Sequence, residues 1–171
     1  MRSFKQFFLL SFLLVIAQIL ISNYIRLGPF LILSVLPALV LCIPTRVPTW
    51  QALLLAFVAG MAVDLLAEGV AGLHTLSLLP VALARLVLVR FICGEDLLAR
   101  RDDFSIKRNG WAKVSLCLLS AQALYLLFYI PVDSAGTRPF WFDFLRFNLS
   151  LLVGTVVSLF VADLLSPEDR R

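Results

Sequence analysis

The sequence predicts an all-α integral membrane protein, a bundle of six transmembrane helices with both termini in the cytoplasm. Three observations predict it. Six runs of 16 to 20 consecutive uncharged residues divide the 171-residue chain, and almost every charge lies between them. Hydrophobic residues make up 61% of the chain and charged residues only 15%, which leaves no length for a folded soluble domain. The basic residues also segregate. Arg2, Lys5, Arg46, Arg100, Arg101, Lys107, Arg108, Lys113, Arg170 and Arg171 fall on one side of the predicted spans, against Arg26 and Arg138 on the other. Lys and Arg accumulate on the cytoplasmic side of membrane proteins.

A hydrocarbon layer about 30 Å thick needs about 20 apolar residues in helical form. Backbone groups in lipid must be satisfied within the segment, and runs this continuous do not alternate as barrel strands do. One membrane domain over residues 1–171 follows, with helices at 6–25, 29–44, 50–67, 71–93, 113–132 and 141–165 and a cytoplasmic loop at 94–112. The first helix lies between Lys5 and Arg26, and its run is too long for the apolar core of a cleaved leader. Pro37 in the second helix and Pro80 in the fourth predict kinks, with Ser34 and Ser77 placed to bond the freed carbonyls. Trp50 and Trp141 begin the third and sixth helices as interfacial anchors. The loop at 94–112 mixes basic residues with Glu95, Asp96, Asp102 and Asp103, the pattern of a solvated connection. The net charge of +4 therefore reports topology, and no nucleic-acid partner is expected.

Charges left inside the spans carry the most information, because one at the bilayer centre costs about 3 kcal/mol and needs a partner or a polar cavity. Asp64, Arg85 and Arg146 are these; Arg90 lies near a helix end, from which it snorkels. The third helix reads Ala52, Ala56, Gly60 and Asp64 at four-residue spacing, a small-residue face ending in a carboxylate. The last helix reads Arg146, Ser150, Gly154 and Ser158, a similar face beginning with a guanidinium. Asp64 and Arg146 both lie about 8 Å to the outer side of the midplane. Two arrangements stand: the two faces pack antiparallel with Asp64 paired to Arg146, or each charge occupies a separate polar pocket. Arg85, about 4 Å to the inner side, needs Asp163, backbone carbonyls or water, as a clamp between helices or as a substrate contact. Glu68 and His74 complete an outer polar cluster. Asp64, Glu68 and His74 are types that ligate metals, but His74 also suits a cap on the hairpin between the third and fourth helices. Cys42, Cys93 and Cys117 form no CxxC pair and read as packing residues. There is no G-x-S-x-G and no H-E-x-x-H. No catalytic residue, cofactor or bound metal is expected.

In order and spacing, Asn23, Ile25, Pro44, Pro48, Trp50, Phe57, Gly60, Asp64, Gly72, His74 and Arg85 resemble MreD, the rod shape-determining membrane protein family, and its Bacteroidetes branch in particular. Leu86 stands where that pattern has proline. The resemblance implies a non-enzymatic adaptor of the cell-elongation machinery in the bacterial inner membrane. Its implied partners are an MreC-like bitopic protein, a RodA-type glycosyltransferase, a penicillin-binding transpeptidase and, indirectly, the MreB cytoskeleton, all within membrane lipid. It also implies a fold similar to the substrate-binding subunits of energy-coupling-factor transporters. The alternative function is such a subunit, for a vitamin-type small molecule, with the outer polar cluster framing its ligand.

Overall fold

The computed structural model describes residues 4–24, 30–94, 110–135 and 137–165. Among them all regular secondary structure is helical, and five helices are long and apolar enough to cross a membrane. These are α1 (Phe4–Tyr24), α3 (Thr49–Val63, continued by a π-helical turn over Asp64–Glu68), α4 (Leu73–Cys93), α5 (Trp111–Ser134) and α6 (Phe140–Leu165). α2 is a single short helix, Leu36–Leu41. Most of the expected loop at 94–112 falls outside the described residues.

The long helices begin and end within two residues of the expected bounds, and turn chemistry sets some of those ends. α3 and its π turn stop at Gly69, and α4 starts after Gly72; both glycines adopt the left-handed backbone that the tight hairpin requires (φ 68° and 105°). Each long helix presents large apolar side chains outward, among them Phe12, Val58, Val87, Leu127 and Phe160. In water such surface would drive aggregation; against lipid it is the expected exterior. Trp50, Trp111 and Trp141 are exposed in the first turns of α3, α5 and α6.

The expected second helix at 29–44 is the main departure. Residues 31–35 are non-helical, α2 covers only six residues, and the chain turns again at 42–48. The cause is Pro37, which has no N–H. In a continuous helix it would leave the carbonyl of Leu33 without its usual donor four residues on. Here Pro37 sits in the first turn of α2, where a missing N–H costs nothing. Pro37 therefore starts a helix and does not kink one. Pro80 does lie inside α4, but the Ser77 hydroxyl donates to the carbonyl of Leu73, one turn before the carbonyls that Pro80 affects.

Interhelix contacts fix the direction of each element. Asn23 in the last turn of α1 donates to the carbonyl of Leu66 beyond α3 (3.2 Å), so α1 and α3 point the same way. The segment between them must run back through the bundle, and we call the end where α1 and α3 stop the distal end. Phe30 meets Phe142 in the first turn of α6, with ring centroids 4.8 Å apart. α2 lies buried at the centre, against α3, α4, α5 and α6. Five non-helical residues at up to about 3.3 Å and six helical ones at about 1.5 Å span at most roughly 26 Å, most of one hydrocarbon thickness. A part-extended segment covers that distance with far fewer residues than a helix needs.

The small-residue face of α3 packs on α4. A Cβ on Gly60 would lie 2.7 Å from Thr75 Cα and 2.9 Å from its nitrogen, so the two backbones touch there. Gly60→Ala is expected to force α3 and α4 apart and destabilise the bundle by about 2 kcal/mol. The unfolding midpoint in detergent checks this; an unchanged midpoint would mean the helices separate freely at that level.

Candidate functional site

Asp64 lies where α3 widens into its π turn, is 0% exposed, and faces the start of α4. Its carboxylate accepts five hydrogen bonds. Oδ2 takes the backbone N–H of Gly72 (3.0 Å) and Thr75 (3.1 Å) and the Thr75 hydroxyl (2.6 Å). Oδ1 takes the backbone N–H of His74 (2.7 Å) and its ring Nδ1 (3.1 Å). The first turn of a helix has N–H groups without intrahelical partners, and it carries partial positive charge. Gly72 offers no side chain to cap them, and a carboxylate from the preceding helix does so. Because a carboxylate only accepts, the His74 Nδ1 carries the hydrogen. The ring then packs edge-on against Tyr129 (5.1 Å) and near Tyr125 (6.3 Å), which joins the hairpin to α5. His74 thus belongs to the capped hairpin. Among the described residues no group of three His, Cys, Asp or Glu side chains could hold a metal ion, and the side chain of Glu68 lies outside the description.

Arg85, 1% exposed, is the largest fully buried side chain. Its guanidinium reaches backbone carbonyls of the turn after α2: Nη1 donates to Ile43 (3.0 Å) and Pro44 (3.5 Å), and Nη2 to Val47 (2.9 Å). Of its three expected partners it takes carbonyls, while Asp163 is exposed in the last turn of α6. The Pro44 carbonyl also accepts the backbone N–H of Val47 (3.0 Å). A forked, permanently charged donor suits several acceptors presented at once.

Gln18 of α1 and Ser150 of α6 do the same work higher up. The Gln18 carboxamide donates to the carbonyl of Leu33 (3.0 Å) and accepts the N–H of Val35 (2.9 Å), as a neighbouring strand would. Ser150 Oγ accepts the N–H of Ile32 (2.8 Å). Non-helical backbone at membrane depth persists only where protein satisfies it. Gln18, Ser150 and Arg85 are among the side chains that do so here. Gln18 was missed from sequence because only charged residues were sought within the spans; a lone glutamine in an apolar helix was the available signal.

Of the two arrangements left open for Asp64 and Arg146, the contacts match the second: each has its own polar partners. Arg146 Nη1 donates to Asp133 Oδ2 at the end of α5, and Arg138 Nη1 shares that oxygen (2.9 Å). The small-residue face of α6 correspondingly meets Gln122 of α5 at Gly154 and Ile32 at Ser150, not the face of Ala52, Ala56 and Gly60. Depth places Asp64 and Arg146 at one level, but they occupy different sides of the bundle. Exchanging Asp133 and Arg146 is expected to recover part of the stability lost in either single variant, a coupling of about 1 kcal/mol. Exchanging Asp64 and Arg146 is expected to recover nothing. Unfolding of the two singles and the double in each cycle checks both expectations.

The five candidate residues thus divide. Asp64 and His74 meet at one junction, Arg85 clamps another, Arg146 pairs with a third element, and the Glu68 side chain is not placed. Chemically, these groups cap, clamp and pair the chain's own elements. No family model, no curated protein and no solved structure matches the chain. What fold and geometry define is a class: an all-helical chain with five helices able to cross a membrane, consistent with an integral membrane bundle.

Proposed function

We propose that the protein is a non-enzymatic adaptor of the bacterial cell-elongation machinery, resident in the cytoplasmic membrane. In this reading it docks the transmembrane helix of an MreC-like bitopic partner and positions RodA-type and penicillin-binding synthases. The chain crosses six times, five as helices and once as the part-extended segment, with the distal end in the periplasm as the distribution of Lys and Arg requires. The supporting sequence feature is the MreD-like spacing from Asn23 to Arg85. The observation that carries the reading is the engagement of Asp64, Arg85, Arg146 and Gln18 with the chain's own backbone and side chains. With these four polar groups so engaged, such a bundle acts through its outward apolar faces, where other membrane helices dock. The transporter alternative draws less support, because its polar cluster is divided between separate junctions.

Photoreactive residues in place of Phe12 on α1, Val58 on α3 and Phe160 on α6, irradiated in native membranes, test the proposal. Crosslinking to a single-span protein with a periplasmic domain is the expected result. Crosslinking to ATPase or transporter subunits, or a vitamin-sized ligand retained through purification, would overturn it.

A further inference from the structure

Three buried side chains have polar atoms with no partner among the described residues. Gln122 of α5 has both carboxamide atoms without a partner, and so have the hydroxyls of Ser34 and Ser158. Their residues are 0%, 0% and 1% exposed. Gln122 points at the small-residue face of α6: its Nε2 lies 2.5 Å and its Cδ 2.9 Å from where a Cβ on Gly154 would be. Ser158 follows one helical turn on, about 6 Å along the same face. Ser34 reaches this level from the third side. Its neighbour Ile32 is held by Ser150, one turn before Gly154, and two extended residues advance the chain about 6.6 Å. Gly154 supplies the room into which the carboxamide projects.

Gln18 shows what a carboxamide does here when backbone lies within reach: it bonds both a carbonyl and an N–H. Gln122 faces hydroxyls and a glycine instead. A buried amide and two hydroxyls with nothing to bond are strongly unfavourable, and such groups are ordinarily bridged by internal water. We propose that Gln122, Ser34 and Ser158 bind an ordered water beside Gly154, linking the extended segment to α5 and α6. These three side chains are neutral, so an ion would lack a counter-charge, whereas water both donates to Gln122 Oε1 and accepts from Nε2 or a hydroxyl.

A crystal structure of the full chain from a lipidic phase, at about 2 Å resolution, tests this. The expected result is a density peak at about 2.7–3.2 Å from the Gln122 carboxamide and from Ser34 or Ser158 Oγ. Direct bonds among these side chains with no such peak, or a peak at cation-like shorter distances, would overturn it. A second readout is the cross-peak between water and the side-chain amide of Gln122 in the ¹⁵N-glutamine-labelled protein in nanodiscs. Its presence, and its loss in Ser158→Ala or Gly154→Ala but not in Ser120→Ala, is expected. Its absence from the unmodified protein, or its persistence in both of the first two variants, would count against the site.

Discussion

Arg85→Met is expected to destabilise the bundle by about 2 kcal/mol, and Arg85→Ala by about 4 kcal/mol because it also opens a cavity. The methionine variant keeps most of the apolar stem and removes only the donors to the carbonyls of Ile43, Pro44 and Val47. The Ile43 and Val47 carbonyls would be left buried and unbonded, while the Pro44 carbonyl keeps the N–H of Val47 (3.0 Å). Arg85→Lys keeps the charge but concentrates it on one ammonium, which cannot fork across carbonyls on different residues. It should recover about half of the methionine loss. Denaturant titration of the purified protein, read by helical circular dichroism, checks the series. Wild-type stability in the methionine variant would mean that the guanidinium does not hold the turn.

Asp64→Ala is expected to have a comparable effect, about 3–4 kcal/mol, at the opposite end of α4. It removes the acceptor for three backbone N–H groups, one hydroxyl and one imidazole, all at a buried helix start. Asp64→Asn keeps one carbonyl oxygen but turns an NH₂ group toward donors, so an intermediate loss of about 2 kcal/mol is expected. Amide hydrogen exchange at His74 and Thr75 provides the local readout. Exchange should accelerate there before it does in α5 or α6. Uniform acceleration across the bundle would mean that Asp64 acts on overall packing and not as a cap.

How much of this was legible in the sequence depends on the kind of signal. The five long helices follow from uninterrupted apolar length, which is one-dimensional information. The second segment has the same apolar composition, and hydropathy cannot tell a buried extended crossing from a helix. Pro37 in its middle and Gln18 in the preceding helix were the distinguishing marks, since one removes a donor and the other supplies it. Depth along a helix can also be reckoned, and it puts Asp64 and Arg146 at one level. The side of the bundle that each faces depends on which helices are neighbours, which no residue spacing states. Arg146 therefore found Asp133, an aspartate at the edge of an apolar run, while Asp64 found the N-terminus of the helix that follows it by one hairpin. The small-residue faces were legible as faces, but their partners were not, for the same reason.

The part-extended crossing proposed above would be served by Gln18, Ser150 and Arg85, and its two ends can be located directly. In a chain with Cys42, Cys93 and Cys117 replaced by alanine, a single cysteine is introduced by Phe30→Cys or by Arg46→Cys. Both positions are exposed and lie on opposite sides of α2. Spheroplasts are then treated with a membrane-impermeant maleimide. A crossing predicts that position 30 is labelled from outside and position 46 only after the membrane is opened. Labelling of both positions from the same side would contradict it, leaving a re-entrant segment and five crossings.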